Sequence, residues 1–230
     1  MGYFVVESNE SLEMPMEGNI ATLLHSRSIK RGHPEDVPIF KARSDKRNYR
    51  RIVLPNAMQV LLVSDPETDT AAASMDVHVG CFCDPPELPG LAHFLEHMLF
   101  FSNQKYPEEG SFMKFLGSHG GSTNAYTASL STNFQFDVGV DHLEEALDRF
   151  AQFFICPAFS EDATGREVRA VDSENSMNLL SDARRLGQLD NHLTSTDHPQ
   201  HKFGCGNLRT LEEIPKSKGI DTRAEMLKLY

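Results

Sequence analysis

The sequence predicts an α+β fold in which a mostly antiparallel sheet packs with helices. Two hairpin-like patterns predict the sheet, because in each of them two alternating or apolar runs are separated by a short turn. Residues 51–54 and 58–63 form the first pattern, and residues 122–127 and 132–138 form the second. A helical pattern at residues 143–154 supports the second layer, since its apolar residues recur at a spacing of three or four. Hairpins mixed with amphipathic helices are typical of the α+β class.

The stretch after the first hairpin predicts one more strand and then a helix. Residues 71–83 alternate around Met75, Val77 and Val79, and a Pro-Pro pair ends the strand. Residues 91–101 follow a Pro-Gly pair and are apolar nearly all round, with few β-branched side chains. That length and composition favour a buried helix over a strand.

Three further stretches predict helices. Residues 112–116 form a short one, and residues 143–154 form an amphipathic one that Pro157 closes. Ser160 is a candidate N-cap with acidic residues in the following turn, and from it a long helical stretch runs towards Leu189.

The two ends of the chain differ from its middle. Residues 1–45 are polar and broken by Gly and Pro, which predicts an extended or mobile N-terminal arm preceding a domain at residues 46–230. Asp221 is a candidate cap for a last helix, whose apolar stripe is still running at Tyr230. The pattern therefore predicts a domain truncated at its C-terminus.

Charge and composition exclude several classes. The 22 basic and 33 acidic residues give a net charge of −11, which argues against nucleic acid and anionic membranes as partners. No apolar run reaches the roughly 18 residues of a membrane helix, and the N-terminal residues lack the cationic start and apolar middle that predict a signal peptide. Few and scattered cysteines predict free thiols and a cytoplasmic location, with an organellar address in a missing C-terminus left open. The four are Cys81, Cys83, Cys156 and Cys205.

The predicted buried helix carries the chemistry, in the motif His93-Phe-Leu-Glu96-His97. Two imidazoles four residues apart project from one face of a helix, close enough to bind one ion, and Glu96 shares that face with His93. Two histidines and a glutamate on a solvated face would be the ordinary alternative. The apolar surroundings disfavour that alternative, because burying these groups without a cation would be costly. The motif therefore predicts half of a zinc site together with its base.

A catalytic zinc site usually has three protein ligands, so the motif needs one more. The long helix after Ser160 offers Glu167 and Glu174, which are two turns apart on the same face. One could bind zinc while the other orients a histidine. The spacing does not choose between them.

These residues carry a resemblance to a known family. The inverted motif His-x-x-Glu-His, with Glu174 in a later helix, is similar to the inverzincin metallopeptidases. More closely, the sequence from residue 46 to 230 resembles the insulysin and nardilysin branch of the pitrilysin family. Several runs support this in order: Ser64-Asp-Pro66, residues 84–100, Lys105-Tyr-Pro107, Asn124-Ala-Tyr126, residues 146–154, residues 166–175 and His201-Lys-Phe203.

The resemblance implies a fold like the first, zinc-bearing domain of pitrilysin-type metallopeptidases. It implies that His93, His97 and Glu174 bind one Zn²⁺ per chain, with Glu96 as the general base and Glu167 supporting the ligands from behind. It also implies that Asn124, Ala125 and Tyr126 form the sheet edge on which a peptide substrate lies as an added strand. Without the resemblance, the sequence would predict only an ordinary hairpin residue at Asn124 and a packed aromatic side chain at Tyr126.

The predicted function is therefore that of a zinc-dependent endopeptidase acting on short peptides. Members of this family are several times longer and enclose the peptide in a chamber, so the other domains of a longer enzyme are expected partners. Further copies of the chain, in a homo-oligomer, are another possible partner. The alternative is a catalytically incompetent peptide-binding or subunit-like domain of the same fold, and a hydrolase of another bond is a third class.

Overall fold

The computed structural model describes the backbone of Gly2–Ser8 and all of residues 39–230. The described strands are β1 (Gly2–Ser8), β2 (Asn48–Val53), β3 (Gln59–Ser64), β4 (Thr70–Val77), β5 (Ser122–Thr127) and β6 (Thr132–Gly139). The described α-helices are α1 (Leu91–Phe101), α2 (Ser111–Ser118), α3 (Leu143–Ala151), α4 (Glu161–Asn178), α5 (Asp182–Leu193), α6 (Ile214–Ser217) and α7 (Thr222–Leu229). The predicted α+β class is confirmed.

Contacts divide the chain into two compact units. The first combines Met1–Val77, Ser111–Asn124 and Phe134–Gln152, within which only the described residues are discussed. The second combines His78–Gly110, Ala125–Asn133 and Phe153–Tyr230. Strands β5 and β6 have residues in both units.

The described strands form one sheet in the order β2-β3-β1-β4-β6-β5. The predicted first hairpin is confirmed, because β2 pairs antiparallel with β3 and Val53 lies opposite Gln59. Ala57 turns the chain with a positive φ of 65°. Strand β1 is antiparallel to β4 but parallel to β3, a pairing that no hairpin pattern predicts.

Part of the predicted N-terminal arm belongs to this sheet. Strand β1 lies within residues 1–45 and occupies a central position, with a neighbour on each side. Residues 9–38 of the arm lie outside the described residues. The boundary between arm and domain at residue 46 stays a prediction.

The first unit has an aromatic core between helix and strand. Phe136 of β6 is buried with its ring 5.1 Å from that of Phe150 on α3 and 5.6 Å from that of Phe112 on α2. Phe134 and Val138 are buried on the same face of β6. The alternation predicted for residues 132–138 is therefore realised as a strand with one buried face.

The second unit is built around α1, which packs against α4 and α7. Helix α1 spans the predicted residues 91–101, and its apolar side chains fill the core of the unit, namely Leu91, Phe94, Leu95, Met98 and Leu99. Val168 and Val171 of α4 and Met226 of α7 are buried as well. Burial on several faces explains why this helix is apolar nearly all round.

The start of α1 is fixed by two neighbours in the same unit. Gly90 precedes the helix with a φ of 95°, and a Cβ there would lie 2.2 Å from the Cα of Gly206, so only glycine fits. The carboxylate of Asp84 accepts hydrogen bonds from the backbone N–H groups of Gly90 at 2.7 Å and Ala92 at 2.8 Å. These bonds satisfy donors that the first turn of a helix leaves free.

Two predicted elements differ from the structure. The stretch from Ser160 towards Leu189 is two helices, because the Ser181 side chain accepts from the N–H of Arg184 and caps a new helix. The third strand ends at Val77, not at residue 83. Residues 81–83 form a 3₁₀ turn instead, which the N–H of Cys83 closes by donating to the carbonyl of Gly80 at 2.8 Å.

Two other expectations hold within the described residues. The four cysteines are free thiols. Asp221 caps α7, and its side chain accepts from the N–H groups of Arg223 and Ala224. None of the described helices combines the length and the apolar character needed to cross a membrane.

Candidate metal centre

Helix α1 brings its two histidines together on one face. The ring centroids of His93 and His97 are 4.8 Å apart and the rings are nearly perpendicular, at 86°. Glu96 lies between them in sequence and is 7% exposed. The spacing of four residues places the imidazoles one turn apart, as the sequence predicts.

Glu174 of α4 completes a group of three potential ligands. Its Oε2 atom lies 3.3 Å from Nε2 of His93 and 3.5 Å from Nε2 of His97. Single ligand atoms of the three residues all lie within 4.8 Å of one another. Two imidazole nitrogens and a carboxylate oxygen are a donor set that Zn²⁺ prefers, and three ligands leave a position for water. The residues present therefore fit a catalytic zinc ion.

The other nitrogen of each histidine has its own partner. Nδ1 of His93 donates to the backbone carbonyl of Cys205 at 2.6 Å. Nδ1 of His97 lies 3.3 Å from Oε2 of Glu167. Because each histidine has an acceptor at Nδ1, its Nε2 atom faces Glu174. Protein groups behind a metal ligand usually fix the orientation of the ligand in this way. Of the two glutamates that the spacing left open, Glu174 lies at Nε2 and Glu167 at Nδ1.

Without a cation, this arrangement favours charged histidines. Burial works against the imidazolium form of His93, but hydrogen bonds to Cys205 and Glu174 outweigh burial and raise its pKa to about 11. The pKa of His97 is also raised, because Glu167 and Glu174 outweigh the same burial penalty. Hydrogen bonds from the two histidines hold the pKa of Glu174 well below its usual range. The site is thus built to hold positive charge beside Glu174.

Glu96 has a different environment from the three potential ligands. Its Oε2 atom accepts a hydrogen bond from the hydroxyl of Thr127 at 2.6 Å. Burial raises the pKa of Glu96, while the bond from Thr127 opposes that rise. A carboxylate that burial makes more basic is suited to accepting a proton near neutral pH.

The carboxylate of Asp84 stabilises the helix that carries the motif. Asp84 is almost fully buried, and burial raises its pKa to about 6 despite the bonds from Gly90 and Ala92. Lys202 lies alongside and donates to the carbonyls of Phe82 at 3.1 Å and Asp84 at 2.6 Å.

Sequence reasoning missed three contributors to this site: Asp84, Thr127 and Cys205. Asp84 directly follows the predicted strand at residues 71–83, and its side chain accepts from backbone N–H groups six and eight residues later in the chain. Thr127 and Cys205 contribute through contacts far away in sequence, so no local pattern could have indicated them.

The predicted substrate-binding residues lie on β5, which is the last strand in the sheet order. Asn124 and Tyr126 are exposed, Tyr126 at 53%, and Ala125 between them is half-buried. An edge strand with an exposed face can pair with a further strand.

The fold and the donor set together define an α+β domain with a group of residues that could hold a metal ion. Residues 59–197 match the model of the insulinase family, peptidase family M16. The chain belongs to this family.

Relatives with known names agree with this assignment. The chain is 62% identical over 194 residues to "Insulin-degrading enzyme-like 1, peroxisomal" of Arabidopsis thaliana, and 52% identical over 192 residues to the insulin-degrading enzyme of Homo sapiens. Each alignment covers 84% of this chain but only 20% and 19% of those relatives. The crystal structure of pitrilysin is similar with a TM-score of 0.79 and 36% identity, over 84% of this chain and 20% of that one. The chain thus spans about a fifth of the length of these relatives.

Proposed function

We propose that this chain is the zinc-bearing part of an endopeptidase that hydrolyses peptide bonds in short peptides. One observation carries the proposal: the Nε2 atoms of His93 and His97 converge on Glu174, with a buried glutamate between them on the same helix. The same donors would serve a hydrolase of another bond equally well, and the family membership favours peptides.

His93, His97 and Glu174 are the proposed ligands of one Zn²⁺ per chain. When bound, zinc would polarise the substrate carbonyl and lower the pKa of a water towards about 7. The carbonyl of Cys205 and the carboxylate of Glu167 hold the two imidazoles with Nε2 towards the metal position. Glu167 therefore orients a ligand without being one.

Glu96 is the proposed general base. Its carboxylate takes a proton from the attacking water, and the water oxygen bonds to the carbonyl carbon of the peptide. Glu96 then gives this proton to the leaving amine as the carbon–nitrogen bond breaks, so the carboxylate is regenerated. Its burial suits both steps, because it makes the carboxylate a stronger base and restricts access by other water.

Asn124, Ala125 and Tyr126 are the proposed contacts for the peptide backbone. Strand β5 is an edge of the described sheet, so an extended peptide could pair with it as an added strand. Such pairing uses main-chain hydrogen bonds and tolerates different substrate sequences, which suits an enzyme acting on unstructured peptides.

The proposed partners are peptide substrates and the other domains of a longer enzyme. The relatives are more than four times as long as this chain, which supports further domains. A homo-oligomer stays a prediction. A cytoplasmic location also stays a prediction, and the relative named as peroxisomal makes a peroxisomal location the alternative.

Zinc content and peptide cleavage of the chain and its Glu96→Gln variant test this proposal. We expect both proteins to bind one zinc, and we expect the variant to lose about 10²- to 10⁴-fold in kcat, since that is the usual contribution of a general base. Glu87→Gln is the matched control, because Glu87 is an exposed carboxylate outside the site. It should cleave at the native rate.

Two outcomes would overturn parts of the proposal. A Glu96→Gln chain as active as the native one would exclude Glu96 as the base. A native chain that binds zinc and peptide but cuts nothing would favour either the peptide-binding domain without catalysis or an enzyme that needs its other domains for cleavage.

A further inference from the structure

The hydroxyl of Thr127 contacts the carboxylate of the proposed general base. Thr127 is the last residue of β5, and its Oγ1 atom donates to Oε2 of Glu96 at 2.6 Å. This length lies within the range of hydrogen bonds from a hydroxyl to an oxygen, and such a bond is stronger when the acceptor is an ionised carboxylate. Thr127 therefore holds one oxygen of Glu96.

A second threonine fixes where the Thr127 hydroxyl can lie. Thr132 is 5% exposed and donates its single hydroxyl proton to the carbonyl of Val79 at 2.7 Å. Its Oγ1 atom lies 3.2 Å from that of Thr127. Thr127 also has one proton to donate. The nearer, charged acceptor is Glu96, so the proton of Thr127 lies towards the carboxylate.

The two oxygens of Glu96 are not equivalent as a result. Among the residues that the structure describes, Thr127 is the hydrogen-bond donor to this carboxylate, and Oε1 accepts none from a protein atom. Oε1 therefore keeps the lone pairs with which a carboxylate oxygen can accept a proton. The last torsion of a glutamate side chain is broad and roughly two-fold, so without a donor the carboxylate would turn freely.

We infer that Thr127 is a positioning residue for Glu96, fixing Oε2 so that Oε1 is the oxygen that accepts the proton of the attacking water. The inference rests on the proposed function. In the balanced step, an O–H bond of water breaks, its proton bonds to Oε1, and the water oxygen bonds to the carbonyl carbon. The same proton later passes from Oε1 to the amine nitrogen. The proton of Thr127 stays on Oγ1 throughout.

A pair of substitutions separates the hydroxyl from the packing of the side chain. Thr127→Val keeps the shape and removes the donor, whereas Thr127→Ser keeps the donor and removes a methyl group. In the zinc-loaded chain we expect Thr127→Val to lower kcat about 10- to 100-fold, the usual cost of removing a supporting hydrogen bond. KM and zinc content should stay near native, and Thr127→Ser should restore most of kcat.

Thr222→Val is the matched control. The Thr222 hydroxyl also donates to an oxygen in the same unit, the carbonyl of Leu211 at 2.6 Å, but it lies on α7 outside the site. We expect its kcat to be native. If Thr127→Val does not fold, Thr127→Ala removes the same donor and takes its place.

A second readout does not depend on activity. In the metal-free chain labelled with ¹³C-glutamate, the side-chain carboxyl signal of Glu96 is assigned by its loss in Glu96→Gln. We expect this signal to shift in Thr127→Val and to stay near its native position in Thr127→Ser and Thr222→Val.

The outcomes separate this inference from the proposed function. An unshifted signal in Thr127→Val, or a native kcat, would overturn the role of Thr127. Equal losses in Thr127→Ser and Thr127→Val would also overturn it, because they would assign the effect to packing. A native chain that binds no zinc would contradict the proposed function alone, since the carboxyl signal of the metal-free chain still decides whether Thr127 holds Glu96.

Discussion

Several pairs of histidines lie close together among the described residues, and the pair of His93 and His97 forms part of the candidate metal centre. His93 and His97 lie in the second unit, with ring centroids 4.8 Å apart and rings at 86°. His119 and His142 lie in the first unit and are closer, with centroids 3.8 Å apart and rings tilted at 44°. Short distance between imidazoles is therefore not what makes a metal site.

The difference lies in the carboxylate that faces Nε2 of His93 and His97, since Nδ1 of His119 and Nδ1 of His93 both face a backbone carbonyl. Nδ1 of His119 faces the carbonyl of Phe115 at 2.8 Å and the hydroxyl of Ser118 at 3.1 Å, and its ring packs on that of Phe115. The pair on α1 instead faces carboxylates from α4. Across the described part of the chain, His93, His97 and Glu174 are the group of three whose ligand atoms converge. A site needs free nitrogens aimed at a common point and a negative charge beside it.

The largest difference in zinc affinity is expected when one histidine is removed from each of these two pairs. We expect His93→Ala to weaken zinc binding by about 10³-fold or more, since three ligands share a binding free energy on the order of 10 kcal/mol. His119→Ala should bind zinc as the native chain does. Competition with a chelator of known affinity measures both. Equal losses in the two variants would contradict the assignment of the ligands.

The dependence of zinc affinity on pH gives the next largest effect. In the metal-free chain the pKa of His93 is raised to about 11 and that of His97 is raised too, so both imidazoles retain protons above the ordinary value of about 6.5. Zinc needs neutral imidazoles, so binding at pH 7 must release protons and affinity must rise with pH. We expect about one to two protons per zinc, measured by calorimetry in buffers of different ionisation enthalpy. Release of no protons would contradict the charged state of the pair.

A smaller effect on zinc affinity is expected for Glu167, whose carboxylate lies beside Nδ1 of His97. Glu167→Gln keeps the size of the side chain but removes the charge beside Nδ1. We expect zinc affinity to fall about 10- to 100-fold, as for other groups that orient a metal ligand, with one zinc still bound at saturation. Glu161→Gln is the control, because Glu161 is an exposed glutamate on the same helix. A loss as large as that of His93→Ala would instead make Glu167 a ligand.

The sequence predicted what local spacing determines, and the structure adds what distant contacts determine. The helix at residues 91–101 and its two histidines follow from local pattern and were placed correctly. The choice between Glu167 and Glu174 depends on how α4 is rotated against α1, which a spacing of seven residues leaves open. Strand β1 was missed for the same reason, because its parallel pairing with β3 joins segments more than fifty residues apart.

The smallest effect concerns how the histidine pair of α1 is held in place. Asp84→Ala removes the carboxylate that accepts from Gly90 and Ala92, and it leaves those N–H groups without their partner at the start of the helix. We expect the free energy of unfolding to fall by about 1–2 kcal/mol, the usual range for loss of a helix cap. Urea unfolding of the metal-free chain measures it. Asp182→Ala serves as the control, since Asp182 is exposed in the first turn of α5.

Zinc affinity should fall in Asp84→Ala by less than in Glu167→Gln, because the histidines keep their own partners at Nδ1. A larger loss of zinc affinity in Asp84→Ala would mean that the start of the helix, more than the groups at Nδ1, sets the position of the pair.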